Sequence, residues 1–75
     1  MLSPSMAKPV YSLETIRASI GSRIRSQRLA RGWTQAELAR RSNIRIETLN
    51  KIERGHRVPH AKTLAGIEAA FKGEA

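Results

Sequence analysis

The sequence predicts a small all-α domain of four short helices. Three observations carry that expectation. Apolar residues recur at spacings of three and four in several runs of the chain. Residues that start and stop helices stand at the ends of those runs. The one stretch that alternates like a strand has no second candidate to pair with, and a lone strand is unstable. The 75 residues make one domain at most. A chain this short buries only about 60% of the surface its unfolded form exposes. Its core is therefore small, with little room for a deep substrate pocket.

Residues 1–11 hold Pro4 and Pro9 among small and polar neighbours, which predicts a poorly ordered N-terminal tail before a domain over 12–75. One lysine and no sustained apolar stretch make "MLSPSMAKPVYS" unlike a signal peptide. Leu13, Ile16, Ile20 and Ile24 form one helix face after Ser12, so the first helix should run to about Ala30, with Gly32 as its stop. Gly21 lies inside it at a cost of roughly 1 kcal/mol in propensity, which points to close packing there.

"TQAELARRS" follows, with Thr34 three residues before Glu37. That is a capping box, each side chain serving the other residue's free backbone N–H, and it predicts a helix over 35–41. Leu38 should face inward, and small Ala39 should let another helix approach. Next, "NIRIETLN", residues 43–50, mixes Ile44, Ile46 and Thr48 with Arg45 and Glu47 in strand-like alternation. The alternation fails beyond Thr48. Placed on a helical wheel, Leu49 and Ile52 share one side, while Glu47, Lys51 and Arg54 take the opposite side, with Asn50 at its edge. Ile46 falls on the flank. The residues therefore predict a helix over about 45–54 after a short turn, with Asn43 as the position tolerant of left-handed backbone. Gly55 and Pro59 then break the chain, and Leu64, Ile67 and Phe71 mark a last helix over 61–71.

Net charge is +8, and ten of the fourteen basic residues lie between Arg23 and Arg57, whereas residues 59–75 balance to zero. Such a patch suits a polyanion, nucleic acid being the commonest. The alternatives are a surface for an acidic protein or a plain solvated face. No cysteine is present, which excludes disulfides and thiolate metal sites and fits a reducing compartment. The longest apolar run falls far short of a membrane span.

Two short helices joined by "SNI" make a helix-turn-helix. Around it, "IGSRIRSQRLARGWTQAELARRSNIRIETLNKIERGHRVP", residues 20–59, resembles the helix-turn-helix domain of phage repressor and Cro proteins, shared by bacterial regulators of the xenobiotic-response-element type. The resemblance rests on Gly21, Ile24, Arg28, Gly32, "TQ" at 34–35, Leu38, Ala39, Leu49, "IERG" at 52–55 and Pro59. It implies a compact lambda-repressor-like DNA-binding domain, with five helices in many relatives and four expected here. It makes the second and third helices the reading pair, Gln35 a phosphate-contacting position, and Arg28 with Glu53 a pair linking helix one to helix three. Arginine can hold a carboxylate bidentately. Two positions depart from the family pattern. Asn43 stands where glycine is usual, and Arg45 replaces a small polar residue at the start of the recognition helix. Arginine is a poor N-cap, and its charge meets the positive helix end, which favours contact with a phosphate or base edge over a side chain merely reaching into solvent. Relatives often carry a further helix that completes a dimer interface, and this chain ends before a full one.

A recognition helix offers its N-terminal residues to base edges in the major groove. Arg45 can bind guanine O6 and N7, Asn50 adenine N6 and N7, and Lys51 guanine or phosphate, while Ile46 can cover a thymine methyl and Glu47 accept from cytosine N4. Against base contact, Glu47 and Lys51 can pair at i,i+4, and Ile46 can be a minor core contact. Thr34 and Gln35, at a helix N-terminus, suit phosphate, as do Arg54, His56 and Arg57 in the loop. Arg23, Arg25 and Arg31 can equally be the solvated face of helix one. Trp33 is expected to pack at the corner of helices one and two rather than stack on a base.

His56 and His60 flank a proline loop instead of sharing a helix face, so neither metal nor cofactor is expected. No Ser–His–acid set, phosphate loop or paired carboxylate stands out, so no catalytic residue and no enzyme activity are expected. The expectation is a cytoplasmic, nucleoid-associated regulator of a bacterium or phage that binds double-stranded DNA, as a repressor, with a homodimer and polymerase among its partners and no membrane. The alternative is an antitoxin that binds a toxin protein and represses its own operon, its tail or last helix holding the partner. A third reading, a nonspecific basic binder, predicts similar affinity for all sequences and steep salt dependence.

Overall fold

Ser12 has extended backbone, and its hydroxyl accepts from the Thr15 N–H at 3.2 Å, satisfying one of the free amides at the start of a helix. Helix α1 spans Leu13–Ala30. The computed structural model describes residues 12–73; the tail expected over 1–11 lies outside the described residues, as do the last two positions. After α1 the chain turns at Gly32, with φ +69°, and the Trp33 N–H donates to the Arg28 carbonyl at 3.1 Å.

Helix α2 spans Gln35–Ser42. The Thr34 hydroxyl accepts from the Glu37 N–H at 3.0 Å, which is the forward half of the expected capping box. The return half is not seen. The Glu37 carboxylate instead accepts from Arg40 at 2.6 Å and from Arg41. Two charged donors on the next turn outbid a neutral backbone N–H. Hydrogen bonding to Arg40, then to Arg41, holds the Glu37 carboxyl below the usual carboxylate range.

Asn43 ends α2 in left-handed backbone, φ 58° and ψ 44°. It is the one non-glycine residue with positive φ among the described residues. The reversal lets the Ile44 N–H reach back to the Ala39 carbonyl at 3.0 Å, the closing bond of a Schellman end. Arg45 has extended backbone and makes no side-chain cap, and helix α3 spans Ile46–Glu53. The segment with strand-like alternation is thus a turn followed by a helix, as the wheel predicts. Helix α4 spans Ala61–Lys72 and ends at Gly73, φ 77°.

All four helices contribute to the core. Leu38, Leu49, Ile52 and Ile67 are fully buried, joined by Ile24, Ala39 and Ala70. Each large side chain of this kind is worth roughly 1.5–3 kcal/mol on burial. Ile44 in the turn packs on the edge of this cluster, with Ile20, Trp33, Leu64 and Phe71. The small Ala39, 4% exposed, lies where the sequence expects a close neighbour. The apolar face of α1 is covered unevenly. Ile24 is buried and Ile20 half-buried, but Ile16 is 43% and Leu13 52% exposed. The first two turns of α1 present an apolar face that the other described helices leave largely uncovered.

Gly21 brings α1 and α3 together. A Cβ there would sit 2.3 Å from the Ile52 carbonyl oxygen and 2.8 Å from that of Glu53, so the two backbones meet where any side chain would separate them. Trp33 packs beyond the α1–α2 corner. It stacks on Phe71 of α4, ring centroids 6.0 Å apart and planes 18° apart, with the Arg41 guanidinium 4.3 Å from its centroid.

Candidate nucleic-acid interface

The left-handed turn at Asn43 directs the chain from α2 into α3, and the burial of Leu49 and Ile52 fixes which side of α3 faces out. Arg45, Ile46, Glu47 and Lys51 are all exposed, Ile46 at 42%. Arg45 stands at the N-cap of α3, Ile46 and Glu47 in its first turn and Lys51 in its last. Glu47 and Lys51 make no ion pair with each other among the described residues. Thr34, Arg54, His56 and Arg57 are exposed as well, the last three in the segment after α3. Seven of these eight residues are polar, and four of them are Arg or Lys.

Two of the residues singled out in the sequence are placed differently. Gln35 and Asn50 are half-buried, and their amides meet. The Asn50 Nδ2 donates to Gln35 Oε1 at 3.3 Å, and the Gln35 Nε2 donates to Glu53 Oε1 at 3.1 Å. In this state Gln35 turns both ends of its amide toward protein partners. Asn50, at the edge of the outer face on the wheel, leans toward α2 rather than standing with Glu47 and Lys51.

Beneath them is the ion pair that the resemblance implies. Arg28 Nε donates to Glu53 Oε2 at 2.7 Å, and Nη2 donates to Oε1 at 3.0 Å. A third bond, from Nη1 to the Trp33 carbonyl at 2.8 Å, ties the same guanidinium to the α1–α2 corner. Arg28 is 7% and Glu53 8% exposed. The pair is therefore bidentate and desolvated, the arrangement in which charge-assisted bonds are strongest and loss of one partner is costly. A chain of hydrogen bonds thus runs from α1 through the end of α3 to the start of α2, and back to the middle of α3. Reading residue types one at a time misses this chain. A faint trace of it in the sequence is Asn50 sitting off the centre of the outer face.

Elsewhere, no group of three or more His, Asp or Glu residues among the described ones can hold a metal. No helix among them is long and apolar enough to cross a membrane. A shallow groove between α1 and α4 is lined by Ile20, Ile24, Leu64, Ile67 and Phe71.

Comparison with known proteins agrees with this geometry. A family profile described as Helix-turn-helix matches residues 24–74. Three curated relatives are 38% identical over 52 residues, covering 69% of this chain and 20% of theirs. Each bears the name "uncharacterized HTH-type transcriptional regulator"; one is from Mycobacterium bovis and two are from strains of Mycobacterium tuberculosis. The chain thus spans about one fifth of the length of the curated relatives it matches. No solved structure matches it at the same stringency.

Proposed function

The chain belongs to the helix-turn-helix family, and from that premise we propose that it binds a specific double-stranded DNA site through α3 and acts as a small transcriptional regulator of a bacterium or phage, as a repressor. The observation that carries this reading is the exposure of Arg45, Ile46 and Glu47 at the start of α3 and of Lys51 in its last turn, flanked by basic residues of the following loop. Side chains at that end of a recognition helix can reach base edges in the major groove. Thr34 and the free amides at the start of α2 would hold one phosphate, and Arg54, His56 and Arg57 others; such contacts set register and supply affinity. A repressor of this kind works by occupying an operator that polymerase needs. If two copies act together, their half-sites would be centred about 34 Å apart.

Arg45 supports base reading on energetic grounds. It starts α3 without a side-chain cap, and its charge opposes the helix dipole. A serine or aspartate there would serve folding better by roughly 0.5–2 kcal/mol. Arg45→Ala is expected to reduce discrimination at one base pair of a selected site by about 1–3 kcal/mol. Affinity for random DNA should fall only by the loss of one charge. Selection of duplexes from a random pool, followed by competition between the selected and permuted sites, measures both. Equal losses on the two kinds of DNA would remove Arg45 from base reading.

A second reading, an antitoxin that also represses its own operon, is supported by the exposed Leu13 and Ile16 of α1. Such a face suits a protein partner. A toxin copurifying with the native chain, and released by Leu13→Ser with Ile16→Ser, would favour it.

A further inference from the structure

Helices α1 and α4 face each other without closing up. Close packing joins α1 to α3 and α4 to α2, while α1 meets α4 only weakly. The gap between them is an open apolar furrow. Ile20 and Ile24 of α1 line it with Leu64, Ile67 and Phe71 of α4. Toward the start of α1 it continues over Ile16 and Ser19, and toward the other end it passes Gln27 to reach Arg31 and Lys72. The furrow thus follows α1 for most of its length. Ile16 is 43% exposed, and Ile20, Leu64 and Phe71 are only half-buried. A contiguous apolar strip of this kind marks a surface that another segment covers.

Residues 1–11 join α1 directly at Ser12. Pro4 and Pro9 do not suit a helix interior, and each biases the residue before it toward extended backbone. In extended backbone every second side chain shares a face. Leu2, Pro4, Met6 and Val10 then fall on one face, and Ser3, Ser5 and Ala7 on the other. Lys8 is the only charged side chain of the segment. It falls on the apolar face, where its stem can pack while its ammonium reaches water. The lengths agree. Ile16 and Gln27 lie about 17 Å apart along α1, and residues 2–8 span roughly 20 Å when extended, which leaves 9–11 to reverse direction. We propose that the segment 1–11 turns back at Pro9 and lies antiparallel to α1 in the furrow, with Leu2 and Met6 against Ile20, Leu64 and Phe71. The furrow is shallow, so the backbone of the segment keeps its hydrogen bonds to water. This docking needs no DNA and stands apart from the reading of sequence by α3. A protein partner reaching this side of α1 would have to displace the segment.

The chain has no cysteine, so Ser5→Cys gives a single attachment point for a nitroxide, on the face of the segment turned away from the furrow. In the free full-length chain the nitroxide should erase the methyl resonances of Ile16, Ile20 and Leu64, compared with its reduced form, and largely spare that of Ile46 at the start of α3. Equal weakening of all four would overturn the docking. Leu2→Ser with Met6→Ser, added to the same nitroxide-bearing chain, should restore the lost resonances. Their continued absence would show that the apolar face of the segment is not what holds it, and would also overturn the inference. A mixture separates this arrangement from one between two copies. The nitroxide-bearing chain without isotopes, added to an isotope-labelled chain without nitroxide, should leave Ile20 and Leu64 unchanged. Loss of their signals in the mixture would place the segment in the furrow of a second copy, which contradicts the intramolecular docking.

Discussion

Glu53→Ala is expected to cost about 3–5 kcal/mol of folding stability. The truncation leaves the Arg28 guanidinium, 7% exposed, with one bond to the Trp33 carbonyl and no counter-charge beside it. It also removes the acceptor for Gln35. Small domains have net stabilities of about 5–15 kcal/mol, with short chains near the lower end, so most of the margin would be lost. Urea titration followed by circular dichroism measures the change. The double replacement Arg28→Met with Glu53→Leu separates the cause. Exchanging both charges for apolar groups removes the unpaired ion, and such swaps are often neutral or better. Recovery of most of the lost stability in the double variant is therefore expected. A Glu53→Ala cost below about 1 kcal/mol, the range of an exposed pair, would show that the pair is solvated rather than buried.

Gly21→Ala is expected to reverse the usual sign of its class. In the interior of a helix, alanine is normally favoured over glycine by roughly 1 kcal/mol. At this position the new Cβ would lie 2.3 Å from one carbonyl oxygen of α3 and 2.8 Å from the next. Both obstacles are backbone, so no side-chain rotation can relieve them. Helices α1 and α3 would have to part. Overpacking of this kind costs about 1–3 kcal/mol and occasionally more, on top of the forfeited propensity gain. The same displacement would pull Glu53 away from Arg28, which adds to the loss. A melting temperature at or above that of the native chain would contradict the close approach of the two helices.

How much of this was legible in the sequence depends on the range of the interaction. Helix positions followed from local spacing and stop signals, and the observed bounds differ from the expected ones by a residue or two. Asn43 was readable because few residues accept left-handed backbone. Arg45 was readable as a misfit at a helix start, and the structure shows it uncapped. Long-range choices were not readable. The carboxylate of Glu37 had two uses on offer, a backbone N–H or the two arginines on the next turn, and charge decided between them. Trp33 was expected at a corner, but the ring of Phe71, 38 positions later, completes its packing. The periodic face of α1 gave no hint that only its second half would be covered. Within the proposed interface, the pattern of residue types brought out Gln35 and Asn50 separately. Their contact depends on how α2 crosses α3, which no local pattern encodes.

Sequence reading by α3 is decided by nuclear magnetic resonance of the isotope-labelled chain, titrated with its selected duplex and with a scrambled duplex of equal length. Sequence-dependent shifts are expected at Arg45, Ile46, Glu47, Asn50 and Lys51. Shifts common to both duplexes are expected at Thr34, Gln35, Arg54, His56 and Arg57. Identical changes with the two duplexes, or changes centred on α1 or α4 with α3 silent, would contradict it.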